Sequence, residues 1–350
     1  TSGPGATNAV AGLAEAWVDS SPVIIISGQS PSNELPATGA KSVRTFGTAG
    51  VDIVSVVKPL TKYAATISHP DRIRAELERA VFDATSGRPG PVWLDIPMDI
   101  QSAEIEPSEL DGFSADRRDD ENSILESQMD ELATLIRASE RPLIIVGQGV
   151  RQAHASEDLL KFVNQSEIPF GLTRLAQDLV PRSHPNNLGH LGRRGAPTSR
   201  SILRKADLIL ALGARLANQL AGHNLSHFSP SAKVVMVDID ESELEKFGTR
   251  LSLSINVDVK QFLDIAIKGN IQINKERTRD WLGWCRETKM SSVIAQASDS
   301  RSPMDLYFFM TALDRSSSSE HILITDAGSN YYVGGQVYSF ENNQREITSG

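Results

Sequence analysis

The sequence holds a single cysteine, Cys285, in 350 residues. One thiol cannot form an intrachain disulfide framework or a Cys-based zinc site. No uninterrupted run of about 18 apolar residues occurs, which excludes a membrane-spanning helix. Positive charge is not in excess either: 35 Lys and Arg stand against 44 Asp and Glu, a net charge of −9. Affinity for nucleic-acid backbones comes mainly from clustered Lys and Arg, so this balance argues against a nucleic-acid partner. Neither a G-x-S-x-G elbow nor a Walker A loop is present, which removes two common enzyme classes. His184, His190, His223 and His227 lack metal-ligand spacing and read as loop hydrogen-bonders. Cys285, between Trp284 and Arg286 in a helical stretch, reads as a packing residue. These exclusions leave a cytosolic globular protein of two domains or more.

What is there is an alternation of helices and apolar strands. Residues 9–18 have helical spacing, with Asn8 as an N-cap candidate. A buried strand follows Pro22, then a loop-like stretch from Gly28 to Pro59. An amphipathic helix is expected over 70–86 and a second buried strand in PVWLDIP, 91–97. The charged segment 101–120, with Pro107, Gly112 and the start of RRDDE, reads as a linker. From 121 to 270, helices alternate with the strands PLIIV, IPFGLT, ADLILAL, KVVMVDID and SLSINVD. Such alternation implies an α/β fold with a doubly wound parallel sheet. Residues 271–300 form a connector with a helix at Trp281–Met290. Ser302-Pro303 then starts a helix over 303–314, and HILITDAGSN is a strand entering a glycine turn. The chain opens at Thr1 in a formed loop and stops after the strand-like REITS, so both edges are expected to cut through folded units.

In open α/β sheets, ligands bind at the carboxyl ends of strands, where loops meet helix N-termini. Four such places carry informative residues. TSGPGATN is either a plain tight turn or a backbone that approaches a ligand. The glycines of VGQG, Gly147 and Gly149, suit a phosphate near a helix N-terminus, though the motif is not a full G-x-G-x-x-G. Asp238 or Asp240 could read a ribose hydroxyl or simply cap the helix over 241–247. TDAGSN, 325–330, is a strand-to-helix turn whose amides could cradle phosphate oxygens.

Taken together and in order, five segments resemble the thiamine diphosphate (ThDP) enzymes of the acetolactate synthase family. They are TSGPGATNAVAGLAEAWVDSSPVIIISGQ, SGRPGPVWLDIP, ADLILALGAR, VVMVDID and PMDLYFFMTALDRSSSSEHILITDAGSN. The resemblance implies three α/β domains. Residues 1–100 would be the second half of a pyrimidine-binding domain, 121–270 a complete central domain of Rossmann type, and 301–350 the opening of a diphosphate-binding domain. It also implies roles. Pro4 and Asn8 match positions lining the aminopyrimidine pocket, and Gln29 matches a glutamine facing the active site. Ala327, Gly328, Ser329 and Asn330 match the turn that contacts the diphosphate, where the family often has Gly-Gln-His. In members that carry FAD, Arg88, Gly147, Gly149, Arg215, Asp238 and Asp258 match dinucleotide-contacting positions.

The same resemblance places the family's activating glutamate before TSGPGATN and the GDG…NN motif that holds Mg²⁺ after Gly350. These 350 residues alone are therefore expected neither to bind ThDP tightly nor to turn over. Two departures bear on the reaction. Arg215-Leu216-Ala217-Asn218-Gln219 stands where synthases usually carry RFDDR, and Met98 replaces a lysine usual after LDIP. Glutamine cannot make the bidentate charged pair with a carboxylate that arginine makes, so the acceptor is left open. The implied activity is decarboxylation of a 2-oxo acid, pyruvate foremost, with carboligation, in a homodimer or homotetramer. A flavin-free decarboxylase or carboligase of another pathway, or a non-catalytic nucleotide-binding module, are the alternatives.

Overall fold

The computed structural model describes residues 3–35, 49–115, 122–222, 228–291, 305–341 and 344–348. His223, His227, Ser302-Pro303, Asn342-Asn343 and the side chain of Gln219 lie outside the described residues. The chain divides into two compact units, Thr1–Asp119 and Asp120–Gly350.

The first unit is built on a three-stranded parallel sheet of β1 (Ile24–Gln29), β2 (Tyr63–Thr66) and β3 (Val92–Pro97), in the order β1-β3-β2. The central strand carries the core. Val92, Trp93 and Leu94 are fully buried, as expected for a continuous apolar run covered on both faces. Leu13 of the helix Val10–Val18 packs with Trp93, together with Ile53 and Val57. Asn8 does not cap that helix. The chain enters it through a 3₁₀ turn, Gly3–Ala9, and the Asn8 amide instead donates to Gly5 O at 3.2 Å. The stretch expected as loop up to Pro59 contains the helix Ile53–Val57, capped by Asp52, and β2 follows it. The amphipathic pattern over 70–86 resolves into a 3₁₀ turn, Pro70–Arg72, and the helix Ile73–Thr85. Leu110 and Phe113 from the segment expected as linker lie along this helix. Arg74 Nη1 donates to Leu110 O at 3.1 Å, and the Phe82 and Phe113 rings sit 5.5 Å apart.

The second unit holds a six-stranded parallel sheet in the order β6-β5-β4-β7-β8-β9. The strands are β4 (Pro142–Val146), β5 (Phe170–Leu172), β6 (Asn187–His190), β7 (Leu208–Leu212), β8 (Lys233–Asp238) and β9 (Leu253–Asn256). The order runs outward one way from β4 and the other way from β7, so the sheet is doubly wound with a switch point between those two strands. Alternate residues feed two cores. Ile144, Val146, Leu210 and Val235 face one, Leu143, Ile145, Ile209 and Met236 the other. The connector helix is longer than the sequence pattern suggests. It spans Lys275–Ser291 and closes the second core with Trp281 and Cys285, Trp281 Nε1 donating to Pro142 O at 2.9 Å.

Two corrections concern this unit. His190 is not a loop residue: it lies on β6, a strand hidden by its polar sequence NLGH. The helix expected to start at Pro303 runs from Leu306 to Ser316, because Asp305 caps it through Tyr307 N and Phe308 N. After it, β10 (Ile322–Ile324) pairs in parallel with β11 (Arg345–Ile347), with the helix Ser329–Val337 between them. Among the described residues no helix is long and apolar enough to cross a membrane.

Candidate functional site

At the strand ends of the first unit, Gln29 and Asp95 meet. Gln29 is 3% exposed, and its carboxamide is fully engaged. Nε2 donates to Asp95 Oδ2 and to Val51 O, both at 2.9 Å, and Oε1 accepts from Ser30 N at 3.0 Å. Asp95, 1% exposed, also accepts from Ser27 Oγ, which in turn accepts from Trp93 Nε1 at 2.8 Å. Burial raises the Asp95 carboxyl above its ordinary pKa, while the donors from Ser27 and Gln29 pull it back. Sequence reasoning passed over Asp95. The available signal was a carboxylate inside the apolar strand PVWLDIP, which must find donors there.

Pro4 and Asn8 are exposed on the 3₁₀ turn. The turn is tight for a specific reason: Gly3 has φ +57°, and a Cβ on it would stand 1.9 Å from Ala49 O. Arg88 is in this unit as well, its Nε donating to Ser20 Oγ at 2.8 Å.

In the second unit, Gly147 and Gly149 sit at the switch point, and their backbones touch the loop after β7. Gly147 N donates to Leu212 O and Gly149 N to Gly213 O. A Cβ on Gly147 would stand 2.0 Å from Gly213 O. Arg215 follows in a left-handed conformation (φ 49°), as does Leu216 (φ 44°). Lys246 Nζ binds Arg215 O at 2.8 Å, and Glu243 lies 4.0 Å from its Nε. Asp238 is buried and accepts from Asp240 N. Asp240 caps the helix Glu241–Glu245, and Asp258 caps Val259–Lys268 through Lys260 N at 2.7 Å. Asp258 follows β9, the edge strand of the six-stranded sheet, and Arg88 belongs to the first unit.

The turn after β10 is different. Ala327, Gly328 and Ser329 are exposed and Asn330 half-buried. Gly328 has φ +124°, which side chains rarely adopt, and the helix Ser329–Val337 begins without a side-chain cap. A helix start presenting its amides to solvent is complementary to phosphate oxygens, so a diphosphate fits here. Asp326 accepts from Ala327 N at 2.7 Å and Asn330 Oδ1 from Tyr331 N at 2.9 Å, which shapes the turn.

Behind this turn lies a buried polar cluster absent from the sequence reading. Arg174, just after β5, forms a two-pronged ion pair with Glu346 of β11. Asp178 holds Arg151 and Arg345, the latter at 2.8 Å, and accepts from Glu346 N at 3.0 Å. Arg151, Arg345 and Glu346 border a cleft of about 150 Å³ that Gln148 and Leu175 also line. His190 is buried beside Arg174 and Arg182, and burial followed by those two charges pushes its pKa down to about 3. Cys285, 1% exposed, has its thiol pushed up to about 12 by burial, which fits a packing role. Among the described residues no group of three or more His, Cys, Asp or Glu is placed to hold a metal ion.

Comparison with known proteins adds two family matches. Residues 1–55 match "Thiamine pyrophosphate enzyme, N-terminal TPP binding domain", and residues 129–265 match "Thiamine pyrophosphate enzyme, central domain". The chain belongs to the thiamine diphosphate enzymes. Its similarity to curated members runs along its whole length. It is 31% identical over 355 residues to the acetolactate synthase isozyme 1 large subunit of Escherichia coli (strain K12), covering 100% of this chain and 59% of that protein. It is 33% identical over 343 residues to the probable acetolactate synthase large subunit of Methanocaldococcus jannaschii, covering 94% and 56%. The Lactococcus lactis acetolactate synthase large subunit is 29% identical, covering 100% and 59%. The chain therefore spans between 56% and 59% of the length of these relatives. The chain itself is an α/β protein with parallel sheets, as expected from the alternation of helices and strands.

Proposed function

We propose that the protein carrying this chain decarboxylates a 2-oxo acid, pyruvate foremost, with ThDP, and joins the remaining fragment to an acceptor as an acetolactate synthase does. The observation that carries this reading is similarity to acetolactate synthase large subunits across the whole chain. Bound ThDP would supply an electron sink for the pair left when CO₂ departs. The residues of this chain would bind and orient it. Ala327, Gly328, Ser329 and Asn330 would take the diphosphate through backbone N–H groups at the helix start. Pro4 and Asn8 would line the aminopyrimidine pocket. Gln29, with its amide committed to Asp95 and Val51, would hold the strand end that walls the site rather than move a proton. Mg²⁺ would accompany the diphosphate, with no ligand assigned among the described residues. The acceptor side is where Met98, 59% exposed after β3, departs from the family's lysine. We expect the full-length protein to work as a homodimer or homotetramer.

The test is an assay of the purified full-length protein with ThDP, Mg²⁺ and pyruvate, following CO₂ release and the carbon–carbon product together. ThDP-dependent release of CO₂ with acetolactate is expected. Release of CO₂ with acetaldehyde alone would keep the decarboxylation and remove the ligation. No ThDP-dependent CO₂ from pyruvate or other small 2-oxo acids would overturn the proposal.

A further inference from the structure

We propose that Arg174 is the positioning residue for the turn Asp326–Asn330, fixing it against the six-stranded sheet so that its amides face a diphosphate. The proposal rests on the reading that this turn carries the diphosphate.

The turn has little internal support. Its hydrogen bonds are local, from Ala327 N to Asp326, from Tyr331 N to Asn330 and from Tyr332 N to Gly328 O. Both of its flanks are bound by one guanidinium that comes from elsewhere in the unit. On the entering side, Arg174 Nη2 donates to Thr325 Oγ1 at 3.3 Å. On the leaving side, Arg174 Nε donates to Tyr331 O at 2.9 Å, and the guanidinium lies 4.4 Å from the centre of the Tyr331 ring. Nη1 and Nη2 together grip Glu346, which also accepts from Thr325 Oγ1 at 3.2 Å. Both charged side chains are buried, at 6% and 4% exposure.

Arginine suits this place because its donors form a rigid planar fork, so one side chain can fix three directions at once. The room for it is made by glycine: a Cβ on Gly335 would stand 2.8 Å from both Cδ and Nε of Arg174. A second anchor holds the strand beside the turn, since Asp178 accepts from Glu346 N and from Arg345. Buried ion pairs contribute little net stability over an apolar filling of similar volume, so the value of this pair is placed in the geometry it holds. Here the geometry fixed is that of the turn, and neither Arg174 nor Glu346 needs to touch the ligand.

The test uses the full-length protein with Mg²⁺, titrating ThDP and thiamine monophosphate separately and reading quenching of intrinsic fluorescence. Arg174→Lys keeps the charge but loses the fork. It is expected to weaken ThDP by about tenfold while lowering thiamine monophosphate affinity less, so that the ratio of the two affinities falls. Equal losses for both ligands, or none, would overturn the proposal. Thr325→Val removes the two hydrogen bonds of the hydroxyl, to Arg174 and to Glu346, without stranding a charge, so it decides the matter if the lysine variant does not fold. About a threefold loss for ThDP supports the proposal and an unchanged affinity sinks it. Ser329→Glu tests the underlying reading separately by placing a negative charge on the turn. A strong loss of ThDP binding upholds that reading, and an unchanged affinity removes it together with the role of Arg174.

Discussion

At the scale of single residues, what decides a substitution is how close the next backbone lies. Gly147 and Gly12 make opposite cases. A methyl group on Gly147 would be driven into Gly213 O, with Ala214 Cα at 2.4 Å, and neither neighbour is a flexible side chain. Gly147→Ala should therefore cost about 3 kcal/mol or more, at the upper end of overpacking penalties. Gly12 lies in the helix Val10–Val18 with nothing within 4 Å of a Cβ, so Gly12→Ala should stabilise by about 0.5–1 kcal/mol. Urea unfolding of the two variants beside the parent chain gives both signs at once. Asp95 makes a third case. Asparagine there would turn a proton donor toward Ser27 Oγ or the Gln29 amide, so Asp95→Asn should lose about 1–3 kcal/mol despite its similar shape. A variant as stable as the parent would mean that the Gln29 amide does not depend on the carboxylate.

At the scale of elements, His190 on β6 ties the sheet to pH. Its folded pKa of about 3 lies below the ordinary 6.5, so the unfolded chain takes up the proton first. The stability this group contributes is present above pH 6.5 and is lost as pH falls toward 3, where the buried imidazole would have to charge beside Arg174 and Arg182. His190→Gln should lower the midpoint of acid unfolding, and circular dichroism across that interval would record it. An unchanged midpoint would show that another group governs acid unfolding. The same strand marks the limit of what the sequence discloses. Strands such as LILAL and VVMV are legible because both faces are covered and every residue is apolar. β6 reads NLGH and is buried all the same, because Asn187 Nδ2 binds Val180 O and Pro181 O and its Oδ1 takes Gly189 N. The Asn187 side chain is satisfied by the loop before the strand and by Gly189 N, a pairing that no local pattern announces, whereas the buried His190 Nδ1 has no hydrogen-bond partner among the described residues. The candidate site divides in the same way. The glycine turn at 325–330 is visible in its residue types, whereas Arg174 and Glu346 are 172 positions apart in sequence and become partners only through the fold. Asp240 as the cap of Glu241–Glu245 is legible locally, because an aspartate directly before a helix accepts from its first amides.

At the scale of the whole molecule, the two units have separate cores, Trp93 and Leu13 in one and the two faces of the six-stranded sheet in the other. The segment Asp120–Gly350 should therefore fold when expressed alone, giving one cooperative thermal transition and the near-ultraviolet signature of packed tryptophans. A molten, non-cooperative product would show that its core needs the first unit. The lone thiol offers a way to watch this without any engineered label. Cys285 is held under the helix Lys275–Ser291 at 1% exposure, beside Trp281. A thiol reagent can reach it only when that helix lifts from the sheet. The rate of its modification is thus a clock for opening of the central unit, with a single reactive site and no background from any other cysteine.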